Sequence, residues 1–289
     1  MGHQDHQKVE DFLATAPAGV GAITLHSTYA KHQQTVGEAA RELGLDVLYD
    51  PRTERLAYED PNGATRKLPG WTGIPYDVDR LAGDASQRSA LVERVLGGHP
   101  EVATIITPPA FLVTDKRSAN LNANLAEEAR MRSDRPVRAK LLVGSRVPWA
   151  VLEELADEYA SAGIDALDLR VTPLDGEYDG ANKIKYLFSL ADLFREHGMH
   201  VVLGSSGNIG QVAYALGHAR NRLPIGPGPS SYMADEPTPD RRLKLDAALV
   251  VIEEVPSPGG CLLIRARQVS RPLHQTTVLL AESLRRVVV

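Results

Sequence analysis

Lys140, Asp168 and Arg170 are charged residues set inside apolar runs, PVRAKLLVG and GIDALDLRVTP, that are short enough to be buried strands. Successive side chains of a strand point to opposite faces. If Leu167, Leu169 and Val171 face outward toward covering helices, Asp168 and Arg170 face inward. The same alternation turns Val137, Ala139, Leu141 and Val143 outward and Arg138 and Lys140 inward. An isolated buried charge is costly unless it is paired, so such residues on neighbouring strands predict a polar centre. A desolvated lysine near an arginine loses proton affinity and becomes a nucleophile or base. A neighbouring carboxylate restores its charge and makes Lys140 an electrostatic clamp. The structural alternative is a mutually neutralising ion cluster that fills the interior. Arg138, at the start of its run, is expected at the floor as a stability residue.

The second constellation is GSSGNIG at residues 204–210, between an apolar run and a helical segment. Glycines there let backbone approach a ligand, and a helix start offers free N–H groups. Gly204, Ser205, Ser206, Gly207 and Asn208 are therefore candidates for holding a phosphate or carboxylate, with a ligand-free tight turn as the alternative. The stretch has neither the dinucleotide-binding spacing nor a Walker sequence. His26 and Asp50 end two earlier apolar runs and are candidate catalytic residues at the rim. As structural readings, His26 is a hydrogen-bonded core histidine and Asp50 caps the turn before Pro51. Two scattered ligands do not make a metal site, and HExxH, GxSxG, CxxC and DxDxDG are all absent.

These residues need a frame, and the punctuation of the chain supplies one. Apolar runs at 21–26, 45–50, 102–107, 137–143, 166–171 and 200–203 alternate with helical segments near 29–43, 78–96, 119–132, 148–162 and 184–197. ELG, SAG and EHG each precede a run by a few residues, as expected for a glycine in the left-handed position after a helix. LPIG at 223–226 and CLLIRAR at 261–267 are the seventh and eighth strand candidates, with helices expected over 241–253 and 275–288. Eight alternations predict an α/β fold of the (β/α)8 TIM-barrel type, as a single domain over 1–289. An open doubly wound parallel sheet is the alternative. Residues 51–77 read as an insertion after the second strand. Within it, 55–58 and 65–68 flank Pro61-Asn62-Gly63 as a β-hairpin. Residues 1–10 are expected to be a flexible polar start.

The succession PVRAKLLVG, GIDALDLRVTP and VVLGSSGNI resembles flavin-binding barrels of the dihydrouridine synthase kind, which carry a strand lysine and a later glycine-rich phosphate loop. Here the lysine falls on the fourth predicted strand, the loop lacks an NGD-like core, and no paired GRG segment follows. A strand-four lysine is also similar to the Schiff-base lysine of transaldolase-like barrels, and queuine-type transglycosylases share a late glycine loop. Neither class's surrounding motifs are present, so the chain is assigned to no family and its cofactor stays unassigned.

The composition is that of an ordinary globular protein, 43% hydrophobic and 24% charged, with a net charge of −5 that argues against a nucleic-acid footprint over the whole surface. The single cysteine, Cys261, excludes an internal disulfide and is expected to be a reduced thiol. No apolar run is long enough to span a bilayer, and MGHQDHQKVEDF lacks the apolar core of a secretory leader, so a cytoplasmic location is expected. The function expected is that of a barrel enzyme for a small anionic ligand, phosphorylated or nucleotide-like. Its reaction class lies open between lyase or transferase and flavin-type oxidoreductase chemistry. The alternative is a non-catalytic barrel that contacts a protein or nucleic acid through 51–77 and 224–240.

Overall fold

Parallel strands and helices alternate through the first 204 residues in a computed structural model that describes residues 5–15, 20–59, 63–174, 180–204, 250–256 and 262–268. The order is α1 (Asp5–Ala14), β1 (Ala22–His26), α2 (Gln34–Glu42), β2 (Asp46–Asp50), α3 (Val78–Gly83) and α4 (Ala85–Gly97). There follow β3 (Leu112–Val113), α5 (Lys116–Arg132), β4 (Arg138–Gly144), α6 (Trp149–Ser161), β5 (Ala166–Thr172), α7 (Ala181–Glu196) and β6 (His200–Leu203). Beyond the glycine-rich segment, β7 (Val250–Pro256) and β8 (Leu262–Gln268) form an antiparallel pair. The chain divides into two compact units, Met1–Asp235 and Glu236–Val289.

β1 and β2 pair in parallel, and β3, β4, β5 and β6 form a second, all-parallel sheet. Single parallel bridges, Leu48 with Ile105 and Ile106 with Val137, connect the two. The Thr104 amide donates to the Val47 carbonyl at 2.8 Å, and the Arg138 amide donates to the Ile106 carbonyl at 2.9 Å. The parallel segments therefore neighbour one another in chain order: β1, β2, 104–106, β4, β5, β6. The expected strand over 102–107 is reduced to these bridges. Pro108 and Pro109 offer no N–H to continue the ladder.

Outward side chains follow the sequence pattern. Ala139, Leu141 and Val143 of β4 and Leu167, Leu169 and Val171 of β5 are buried against Leu152 and Leu155 of α6 and Leu187 and Leu190 of α7. Each fully buried leucine contributes roughly 1.5–3 kcal/mol relative to exposure. Gly44, Gly163 and Gly198 follow their helices with φ of 73°, 70° and 86°, the left-handed conformation expected of ELG, SAG and EHG.

Several local expectations are corrected. The insertion after β2 forms two 3-10 turns, Thr53–Ala57 and Ala64–Lys67, not strands of a hairpin. Leu56 and Leu68 are buried in a cluster with Leu91 and Val95 of α4, a burial that a solvated hairpin would forfeit. Asp5–Ala14 is helical where a flexible start was expected. Leu13 is buried, Val9 packs on the same cluster, and Thr35 of α2 donates a hydrogen bond to Glu10. The helix expected over 78–96 breaks at Asp84, whose side chain accepts from the Gln87 amide and caps α4. The helix expected near 29–43 begins as a 3-10 turn, Ser27–His32. Residues 250–253, expected as the end of a helix, belong to β7, in keeping with the β-branched run Val250–Ile252. The eighth strand exists but pairs antiparallel. Residues 223–226 and 275–288 and Cys261 lie outside the described residues.

His99 locks the end of α4 to the sheet. Its Nδ1 donates to the Val95 carbonyl at 2.8 Å and its Nε2 accepts from the Thr107 amide at 3.1 Å, a pairing that requires the neutral ring. Burial, helped by Arg135, brings its pKa down to about 4. Unfolded, the ring titrates near 6.5, so the unfolded chain binds a proton that the fold refuses. Stability should therefore be level above pH 6.5 and fall between 6.5 and about 4, by roughly 3 kcal/mol from this residue. Urea unfolding across that range should show the fall, and His99→Gln should remove this residue's share and leave that of His26, whose pKa is likewise lowered to about 4. A wild-type stability that is level over the interval would contradict the assignment.

Candidate functional site

The faces of β4 and β5 opposite the covering helices carry the predicted charges, and β2 supplies their partner. Lys140 is paired in register with Asp168, so the two side chains share a face. Lys140 Nζ donates to Asp50 Oδ1 at 3.0 Å and Oδ2 at 3.3 Å, and to Glu54 Oε2 at 2.9 Å. Arg170 Nη2 donates to Asp168 Oδ2 at 2.8 Å and to Asp50 Oδ2 at 3.3 Å. Arg138 Nη2 lies 3.7 Å from Asp168 Oδ2, and its Nε is buried without a hydrogen-bond partner. Three cations and three carboxylates thus converge from β2, the turn after it, β4 and β5.

Exposure is graded through the cluster. The Lys140 side chain is 1% exposed, against 14% for Asp50, 17% for Glu54 and 18% for Arg170. Burial alone would raise the pKa of Asp50, but Lys140 and Arg170 outweigh it and hold the carboxyl well below the usual carboxylate range. Asp168 is likewise held low, by Arg170 and Arg138 against the effect of burial. Burial pushes the Arg138 guanidinium down despite Asp168 nearby. Among the described residues the hydrogen bonds of Lys140 Nζ go to the carboxylate oxygens of Asp50 and Glu54, so the ammonium is paired on two sides.

His26 stands one step from the cluster. It ends β1 beside Asp50 in register, and its Nε2 lies 2.6 Å from Arg52 Nη1. That ring nitrogen must accept, so the imidazole is neutral. Burial and the Arg52 charge lower its pKa to about 4. Arg52 has φ of 52°, a left-handed conformation uncommon for a non-glycine residue, and its amide donates to Asp50 Oδ1 at 3.0 Å. His26 is therefore a partner of Arg52 and not a free base.

Gly204 follows β6 directly beneath the cluster. A Cβ there would overlap the Asp168 carboxylate and come within 2.6 Å of Arg170 Nε, so only glycine leaves room for the ion pair. Ser205, Ser206, Gly207 and Asn208, the expected anion cradle, lie outside the described residues. Two participants escaped the sequence reading. Glu54 sits in what reads as a turn-rich insertion, and its only signal is its spacing of four residues from Asp50. Arg52 is hidden in the same Asp-Pro-Arg-Thr-Glu stretch. On its other side Glu54 borders a cleft of about 280 Å³. Among the described residues no group of three His, Cys, Asp or Glu side chains is placed to hold a metal, and no helix is long and apolar enough to cross a membrane.

The chain matches no protein-family model and no curated protein.

Breaking the cluster should be costly. Lys140→Met leaves Asp50 and Glu54 as less compensated buried carboxylates and should destabilise the fold by roughly 3–5 kcal/mol in urea unfolding. A loss under about 1 kcal/mol would show that the site is solvated rather than closed. Gly204→Ala should cost about 1–3 kcal/mol through the forced overlap. Gly97→Ala, in the last turn of α4 where a Cβ meets nothing within 4 Å among the described residues, should not be destabilising in the same assay.

Proposed function

We propose that the first unit is a TIM-type barrel enzyme that binds a small anionic ligand, phosphorylated or nucleotide-like, at the C-terminal ends of its strands. The barrel reading is supported by strand order and by reach. The six parallel segments run in chain order without the reversal that marks a doubly wound sheet. Asp50 and Arg170 lie three strand spacings apart. On a flat sheet their upright side chains would be held roughly 14 Å apart. Their 3.3 Å contact favours a sheet curled around them.

One observation carries the functional reading. Charges from four segments converge near the strand ends, where barrel enzymes place their chemistry, with Arg170 partly exposed beside the first residue of the glycine-rich segment. In this reading Arg170 meets the anion, Lys140 and Asp50 fix the position of Arg170, and Asp168 orients its guanidinium. His26, a neutral acceptor, holds the Arg52 guanidinium in place. A cytoplasmic location belongs to the same proposal and rests on the lone cysteine.

The closed, charge-balanced state of Lys140 favours a second reading, a non-catalytic barrel in which the cluster is internal support. Tyr58 and Ile74, 58% and 71% exposed on the 51–77 insertion, would then face a partner. Titration of inorganic phosphate and adenosine monophosphate, followed by amide NMR, separates the two. The enzyme reading predicts shifts at Thr172, Gly204 and the following glycine-rich residues, weakened in Arg170→Lys, which keeps the charge but loses the planar fork. Silence at these amides would favour the scaffold.

A further inference from the structure

We propose that the cleft beside Glu54 is a binding site for a small organic amine, distinct from the anion site and independent of whether the cluster turns over a substrate. The cleft lies where the turn Thr53–Ala57, the start of α3 and the start of α5 meet. Its volume of about 280 Å³ lies just under the roughly 300 Å³ at which pockets for drug-sized ligands begin, room for a small molecule only. Phe111, Ala57 and Ala82 give it apolar walls, and Tyr58 adds an exposed aromatic ring.

The polar lining is one-sided. Glu54, Asp77, Asp79 and Asp115 contribute carboxylates against the single cation Arg117. Arg117 pairs with Asp79 at 3.7 Å and Lys140 pairs with Glu54 at 2.9 Å. Asp77 and Asp115 have no ion pair of their own among the described residues. Each uses Oδ1 to cap a helix, accepting from Arg80 and from Ser118. Because Asp115 already covers the amide donors at the start of α5, an anion finds no cradle here. The charge surrounds a wall instead of converging on a point, consistent with the lack of a three-ligand metal group among the described residues. An apolar wall, an aromatic ring and surplus carboxylates together suit an ammonium on a short hydrocarbon stem.

The test uses three probes of one shape: phenethylamine, 2-phenylethanol and 3-phenylpropionate, each titrated into the full chain and followed by amide NMR. The amine should shift Ala57, Tyr58, Phe111 and Thr114, the alcohol should bind several-fold more weakly, and the carboxylate should leave these amides unmoved. Raised salt should weaken the amine alone. Ala82→Leu, which fills the cleft without touching a charge, should abolish the amine's shifts, and Asp79→Asn should reduce them. Equal binding of amine and alcohol would reveal an apolar crevice without charge recognition and overturn the proposal. So would shifts produced by magnesium but not by the amine, or amine shifts that survive Ala82→Leu.

Discussion

The carboxylate of Asp50 is the point on which the interior depends. It ends β2, yet it receives Lys140 from β4, Arg170 from β5 and the backbone N–H of Arg52 from its own turn. Nothing else named in the interior joins so many separate segments. Among the described residues the ladders of β1–β2 and β3–β6 meet through single bridges, so the ionic contacts reinforce a seam that backbone hydrogen bonds leave thin. A carboxylate taken out of water is tolerated there only because cations surround it.

The same constraint shapes the neighbours of Asp50. Gly204 must lack a side chain because Asp168 and Arg170 occupy the space that its Cβ would fill. Arg52 adopts a left-handed backbone so that its amide reaches Asp50 while its guanidinium reaches His26. Glu54 closes over Lys140 and forms the boundary between the buried cluster and the acidic cleft. Function, in the proposed reading, uses the partly exposed Arg170, while Asp50 and Lys140 hold it from behind and Glu54 pairs with Lys140.

What the sequence revealed was the part governed by period and burial. Alternation along β4 and β5 correctly turned Lys140 and Asp168 to one face and the leucines to the other, and a glycine after a helix marked three helix ends. Asp50 was visible as a strand-end acid, but its pairing with residues ninety and more positions away leaves no local trace. The insertion failed for a different reason. Its Pro-Asn-Gly centre has hairpin chemistry, whereas Leu56 and Leu68 gain more from the core than strands gain from pairing in water. Glu54 was lost with it, since a carboxylate in a polar loop looks like any solvated charge. The break at Asp84 was equally hidden, because a capping aspartate inside a helical pattern differs little from a surface one.

The most direct measurement is the titration of the Asp50 side-chain carboxyl by carbon-13 NMR. If Lys140 and Arg170 converge on it as described, its resonance stays that of a carboxylate well below the usual carboxyl range, about pH 4, and changes only when acid unfolds the protein. A protonation step near pH 4 in the folded protein would contradict the account, because it would place Asp50 in water and not between two cations.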